Sequence, residues 1–161
     1  MSSTGEVACL GKNYQEAFFT SWLSTEQTIK GKNILLTINK EKRAELLEYI
    51  VELDKQDWNI YATEGTHEFL SKNGIASTFL YKISEDGEPN IQKAITDKLI
   101  DIIINIPSGS KNNNTDGFKI RRLAVNHHLP IITDRQIAKL FLSCLTKITT
   151  QNITPLSWQE F

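Results

Sequence analysis

Cysteine is scarce in this chain: Cys9 and Cys144 stand far apart and in no metal-binding or redox spacing. A disulfide-stapled scaffold and a zinc ribbon are thereby excluded, and two reduced thiols are the expectation. Neither sign of charge is in excess. The 18 Lys and Arg against 19 Asp and Glu leave a formal net charge of -1, so no overall field draws the chain to nucleic acid or to anionic lipid. No apolar run approaches the ~20 residues that span a bilayer. The opening "MSSTGEVACLGK" has neither a secretory apolar region nor an Arg-rich presequence, and a cytoplasmic location is expected. There is no G-x-G-x-x-G and no P-loop ending in Gly-Lys-Ser/Thr. Ser108, Ser110 and Ser143 lie in no G-x-S-x-G context, which sets a serine-hydrolase triad aside.

What the chain does contain is a regular alternation of short apolar runs and amphipathic stretches. Residues 1–30 stand apart, with a strand-like "STGEVACLG" followed by a helix over "NYQEAFFTSWLS". From residue 33 strands are expected at 33–38, 58–63, 76–83, 100–107 and 129–133. Helices are expected at 40–56, 66–74, 91–99, 118–128 and 134–148. Gly74 falls where a helix-ending glycine belongs, and Asp134 where an N-cap belongs. "IDIIINIP" is the most apolar run and the expected central strand. Five strands alternating with helices predict an α/β fold, a doubly wound five-stranded parallel sheet flanked by helices.

Sheets of this kind bind ligands beyond the carboxyl ends of their strands, near a topological switch point. That rim gathers Thr63, Gly65 and Thr66 at the end of the second strand, Lys82 at the end of the third, and Asn105 with Ser108 at the end of the fourth. Lys40, Lys42 and Arg43 follow the first. In "TEGT" a strand gives way to a helix, whose free N–H groups and dipole favour anions. Gly65 permits close backbone approach, Arg43 offers a planar bidentate donor and Lys82 a mobile charge. A phosphate or carboxylate suits this set; Thr66 as an N-cap and Thr63 as a strand-end hydroxyl is the plainer alternative. Asp86, Glu88 and Asp116 are loop carboxylates within reach of the rim. His127 and His128 read as helix-end residues.

Four stretches carry a family resemblance: "LLTINKEKRAELLEYIVEL", "NIYATEGTHEFLSKNGI", "IDIIINIPSG" and "FKIRRLAVNHHLPIITDRQIAKLF". Together they resemble the methylglyoxal-synthase-like domain, and within it the C-terminal allosteric domain of the carbamoyl-phosphate synthetase large subunit. The resemblance covers about residues 31–150. Residues 1–30 look like the link leaving an ATP-grasp domain, and 151–161 read as a tail. The resemblance implies a Rossmann-like sheet and an effector site, with Arg43, Thr63, Thr66, Lys82 and Asn105 at the positions that contact nucleotide monophosphates in bacterial members. It implies a regulatory rather than catalytic module, tuning carbamoyl phosphate synthesis for pyrimidine or arginine production. The partners implied are the rest of the large subunit, a glutaminase small subunit, a small-molecule effector and further copies of the chain, with no nucleic acid and no membrane. No cofactor is implied for this segment; ATP with Mg or Mn belongs to the parent enzyme.

Departures from the family pattern keep other readings open. The aspartates of methylglyoxal synthase have no counterpart in "GEPNIQ" or "NIPSGSKNNNT", which weakens a lyase reading. Ile106-Pro107-Ser108 replaces a threonine pair of the uridylate-regulated type. "INIP" resembles the urea-cycle type that binds N-acetylglutamate, yet that type has tryptophan where Lys82 stands. Ile131 replaces the tyrosine of ornithine-responsive enzymes. A domain present only for assembly, with a vestigial pocket, is the remaining alternative.

Overall fold

In the computed structural model the described residues are 7–25, 27, 29–107, 115–147 and 159. Five parallel strands form one sheet in the order β3-β2-β1-β4-β5. They are β1 (Asn33–Ile38), β2 (Asn59–Ala62), β3 (Thr78–Phe79), β4 (Ile102–Ile106) and β5 (Ile131–Ile132). The helices are α1 (Tyr14–Leu23), α2 (Leu47–Lys55), α3 (Glu64–Lys72), α4 (Ile91–Thr96), α5 (Asp116–Asn126) and α6 (Arg135–Lys147). The central strand is β1, not the "IDIIINIP" run. β1 pairs with β2 on one side and β4 on the other. Both strands are buried almost throughout, so hydrophobicity alone does not rank them.

Alternation along β1 divides the core in two. Ile34, Leu36 and Ile38 face a cluster that includes Leu46, Ile50 and Leu53, Leu70 of α3, and Phe141 and Leu142 of α6. Leu35 faces the opposite cluster, with Ile91, Ala94 and Ile95 of α4 and Ile120 and Ala124 of α5. Helices therefore cover both faces. Phe19 of α1 is buried in the first cluster, so the N-terminal helix packs into the same core as the sheet.

The edge strands are shorter than their apolar runs suggest. After Phe79 the chain turns to its own loop: Tyr81 N–H donates to Pro89 O, and Ile91 N–H to Tyr81 O. The single helix expected over 40–56 is broken into 3₁₀ turns at Lys40–Lys42 and Ala44–Leu46 before α2 begins. Both predicted punctuation marks are present. Gly74 has φ +75°, a left-handed value glycine adopts without strain. The Asp134 carboxylate accepts from Gln136 N and Ile137 N. Residues 7–11 of the strand-like opening form no strand; the rest of that stretch lies outside the described residues.

Glu45 ties the broken turn to α6. One carboxylate oxygen accepts from Arg135 Nη1 and the other from Lys139 Nζ, each at 2.8 Å. The hydrogen bond from Lys139, joined by Arg135 and opposed by partial burial, lowers its pKa to about 2. A depressed folded pKa stabilises above the unfolded value near 4.5 and loses that stabilisation as pH falls toward 2. Glu45→Gln is expected to lower the denaturant midpoint at pH 7. It should also flatten the midpoint's fall between pH 4.5 and 2. Parallel pH profiles for the two proteins would contradict the assignment.

Candidate functional site

The connections from β1 and β4 run to opposite sides: β1 leads to β2, and β4 leads to β5. These two strands are neighbours, so their junction is the topological switch point. A cleft of about 390 Å³ opens there, within the range of small-molecule sites. It is lined by Asn39 beyond β1, Thr63 and Gly65 beyond β2, Lys82 beyond β3, Asn105 and Pro107 of β4 and its exit, and Thr115 to Gly117 at the start of α5. Arg43 completes the wall.

The 3₁₀ break in 40–46 is what aims Arg43 inward. Its Nε donates to Ile38 O at 2.9 Å, which anchors the guanidinium at the end of β1. The outer nitrogens lie against Gly65, where an added Cβ would come within 2.6 Å of Nη2. A side chain at position 65 would therefore displace the Arg43 guanidinium from this position. Burial lowers the Arg43 pKa from its ordinary value, and the charge of Glu68 opposes that. Lys40 and Lys42 do not line the cleft.

Thr63 occupies the N-cap position of α3 but makes no side-chain capping bond, so its hydroxyl stays available to the cleft. Thr66 behaves differently from the expectation. It is 1% exposed, accepts from Ile38 N at 3.1 Å and donates to Ile38 O at 3.3 Å. It pins α3 to the end of β1 from behind the cleft wall and does not line it.

Asn105 is also committed to the scaffold. Its Oδ1 accepts from the Thr37 hydroxyl at 2.8 Å, and its Nδ2 donates to Gly117 O at 2.9 Å. It thereby fixes the start of α5 across the switch point. Ser108 lies outside the described residues. Asp116 reaches the rim as the first residue of α5, and its carboxylate accepts from the backbone N–H and the hydroxyl of Ser84. Asp86 and Glu88 do not line the cleft. His127 and His128 close α5 and line a separate depression with Lys98 and Leu129.

Two helix starts thus point their unpaired first-turn N–H groups at one cleft. The start of α5 was missed because its helix was expected from Phe118. The signal was present in Thr115-Asp116, a hydroxyl cap followed by an acidic first-turn residue; Thr115 Oγ1 does accept from Phe118 N. Lys82 supplies the second cation. Its hydrogen bond to Glu85 chiefly raises its pKa; partial burial opposes, and the fields of Asp116 and Glu64 add to the rise. No group of three or more metal-ligating side chains occurs among the described residues, and no helix there is long and apolar enough to cross a membrane.

The family profile described as MGS-like domain matches residues 45–133. The multifunctional protein ura1 of Schizosaccharomyces pombe is 32% identical over 99% of this chain and 8% of its own length. The human protein named carbamoyl-phosphate synthase (ammonia), mitochondrial, is 37% identical over 91% of this chain and 10% of its own length. The multifunctional protein URA2 of Saccharomyces cerevisiae is 34% identical over 96% of this chain and 8% of its length. The chain thus spans 8 to 10% of these relatives. A crystal structure of methylglyoxal synthase from Elizabethkingia anophelis superposes with TM-score 0.56 at 22% identity, covering 70% of this chain and 77% of that one. That likeness shows the fold.

Proposed function

The chain belongs to the MGS-like domain family, and on that premise we propose that it is a regulatory domain of a carbamoyl-phosphate-synthase-type polypeptide. Its cleft takes an anionic effector, a nucleoside monophosphate in preference to N-acetylglutamate. One observation carries this reading: Arg43, Lys82, the Thr63 hydroxyl and the starts of α3 and α5 meet at the switch-point cleft. Phosphate fits such a donor set because it accepts from several directions at once. An ammonium at position 82 serves a phosphate better than it would serve an apolar acyl chain. ATP, its divalent metal and a glutaminase partner would be handled by other parts of such a polypeptide. The effector acts by binding two states of that polypeptide unequally, a difference typically of about 1–3 kcal/mol.

The test is thermal unfolding and calorimetric titration with uridine and inosine monophosphates, N-acetylglutamate, ornithine and inorganic phosphate. A ligand at 100 times its dissociation constant adds about 2.7 kcal/mol, a rise of about 5–10 °C for a chain of this size. Lys82→Ala should weaken nucleotide binding about tenfold or more. Equal affinity in Lys82→Ala and parent would remove the cleft from consideration. No shift with any ligand would leave assembly as the better reading.

A further inference from the structure

Lys82 does not face the cleft as a free cation. The Glu85 carboxylate brackets it: Oε2 accepts from the Lys82 backbone N–H at 2.9 Å, and Oε1 accepts from Nζ at 2.7 Å. One backbone N–H together with one ammonium is the kind of donor pair that an incoming phosphate oxygen would use. Among the described residues, Glu85 is the carboxylate that makes an ion pair with a cation of the cleft. Asp116, the other rim carboxylate with defined partners, is held by Ser84 instead.

We propose that Glu85 is a built-in competitor for the anion site, an affinity-setting residue that holds Lys82 in the empty protein and must swing away when an anionic ligand binds. This rests on the anion-binding reading of the cleft and adds the residue that sets its affinity. The surrounding loop is built for a side-chain movement alone. Glu85 N–H donates to Lys82 O at 3.1 Å, which closes the turn through the backbone. Ser84, the preceding residue, is fastened to Asp116 by two hydrogen bonds. With the backbone held at both points, rotation about the Glu85 side-chain torsions frees Lys82 without moving the loop. Both side chains are partly exposed, 39% for Lys82 and 35% for Glu85, so the released carboxylate has water to enter. An ion pair of this exposure is weak enough for a ligand to displace.

The experiment is calorimetric titration of the full chain with inorganic phosphate and with uridine monophosphate. It compares the parent, Glu85→Gln and Asp86→Asn. Glu85→Gln keeps the shape of the side chain and removes its charge. Asp86→Asn removes the same charge one residue away from an exposed position that makes no bond to Lys82. Glu85→Gln is expected to bind phosphate about fivefold more tightly than the parent, while Asp86→Asn stays within about twofold. Unchanged or weaker binding by Glu85→Gln overturns the proposal, and so does an equal gain in both variants. If the parent takes up neither phosphate nor uridine monophosphate, the effector reading fails for the parent protein. Uptake by Glu85→Gln alone then still upholds the competitor, and uptake by neither variant overturns it.

Discussion

Phe141→Ala is expected to lower the unfolding free energy by about 3–5 kcal/mol and the melting temperature by roughly 10 °C. Phe141 is fully buried on α6 and belongs to the cluster beneath β1 and β4. Its ring meets Trp22 edge-on at 4.9 Å between centroids and Phe19 at 6.4 Å. Truncation would open a cavity that α1, α6 and the sheet share, and a close-packed core relaxes only partly around such a gap. The loss should exceed that of an isolated core position, since Phe19 and Trp22 anchor α1 through this ring. Phe141→Leu keeps most of the volume and should cost about 1.5 kcal/mol or less. Chemical denaturation of both variants provides the measurement. A loss below about 1 kcal/mol for Phe141→Ala would mean that α1 is not docked on α6 as described.

The same packing shows why some of the fold was legible and some was not. Apolar runs such as "NILLTI" and "IIINI" announced buried parallel strands, and Gly74 and Asp134 marked helix ends by local chemistry. These features depend on residues close in sequence. The rank of strands within the sheet does not, because β1 and β4 bury both faces and differ only in which neighbours they pair with. β3 ends early because Tyr81 finds its partners in the 89–91 segment, a contact that periodicity cannot report. Thr63, Gly65 and Lys82 were legible because strand-end position is enough to place them on the rim, whereas for Arg43, unlike Lys40 and Lys42, the 3₁₀ turns around it also decide.

Thr66 was read as a contact for a ligand but serves the scaffold, while Asn105 lines the cleft and ties the scaffold as well, and the reason is again non-local. Whether a buried hydroxyl or amide faces a cleft depends on the partner that meets it from another element. For Thr66 that partner is the backbone of Ile38. The bracket between Glu85 and Lys82 is a local turn, but nothing in "KISED" shows that Lys82 lines a cleft or that Ser84 is fastened to Asp116 at the start of α5.

Asn105→Asp should be the most damaging conservative change at the cleft. The orientation of the Asn105 amide follows from its neighbours: Gly117 offers a carbonyl oxygen, which accepts only, so the nitrogen must face it and the oxygen must face the Thr37 hydroxyl. A carboxylate keeps the bond to Thr37 but sets an oxygen 2.9 Å from another oxygen at Gly117. The position is 2% exposed, so water cannot relieve the repulsion. The expected cost at neutral pH is about 3 kcal/mol, the scale of a buried charge without a proper partner. Binding should suffer separately. The new charge stands in the wall of the anion cleft and loosens the start of α5, which together should weaken phosphate affinity roughly tenfold or more. Thermal unfolding and phosphate titration read the two effects independently. A variant that melts within about 2 °C of the parent would contradict the role of Asn105 as the tie across the switch point. A variant that is destabilised but binds phosphate normally would separate that tie from the anion site.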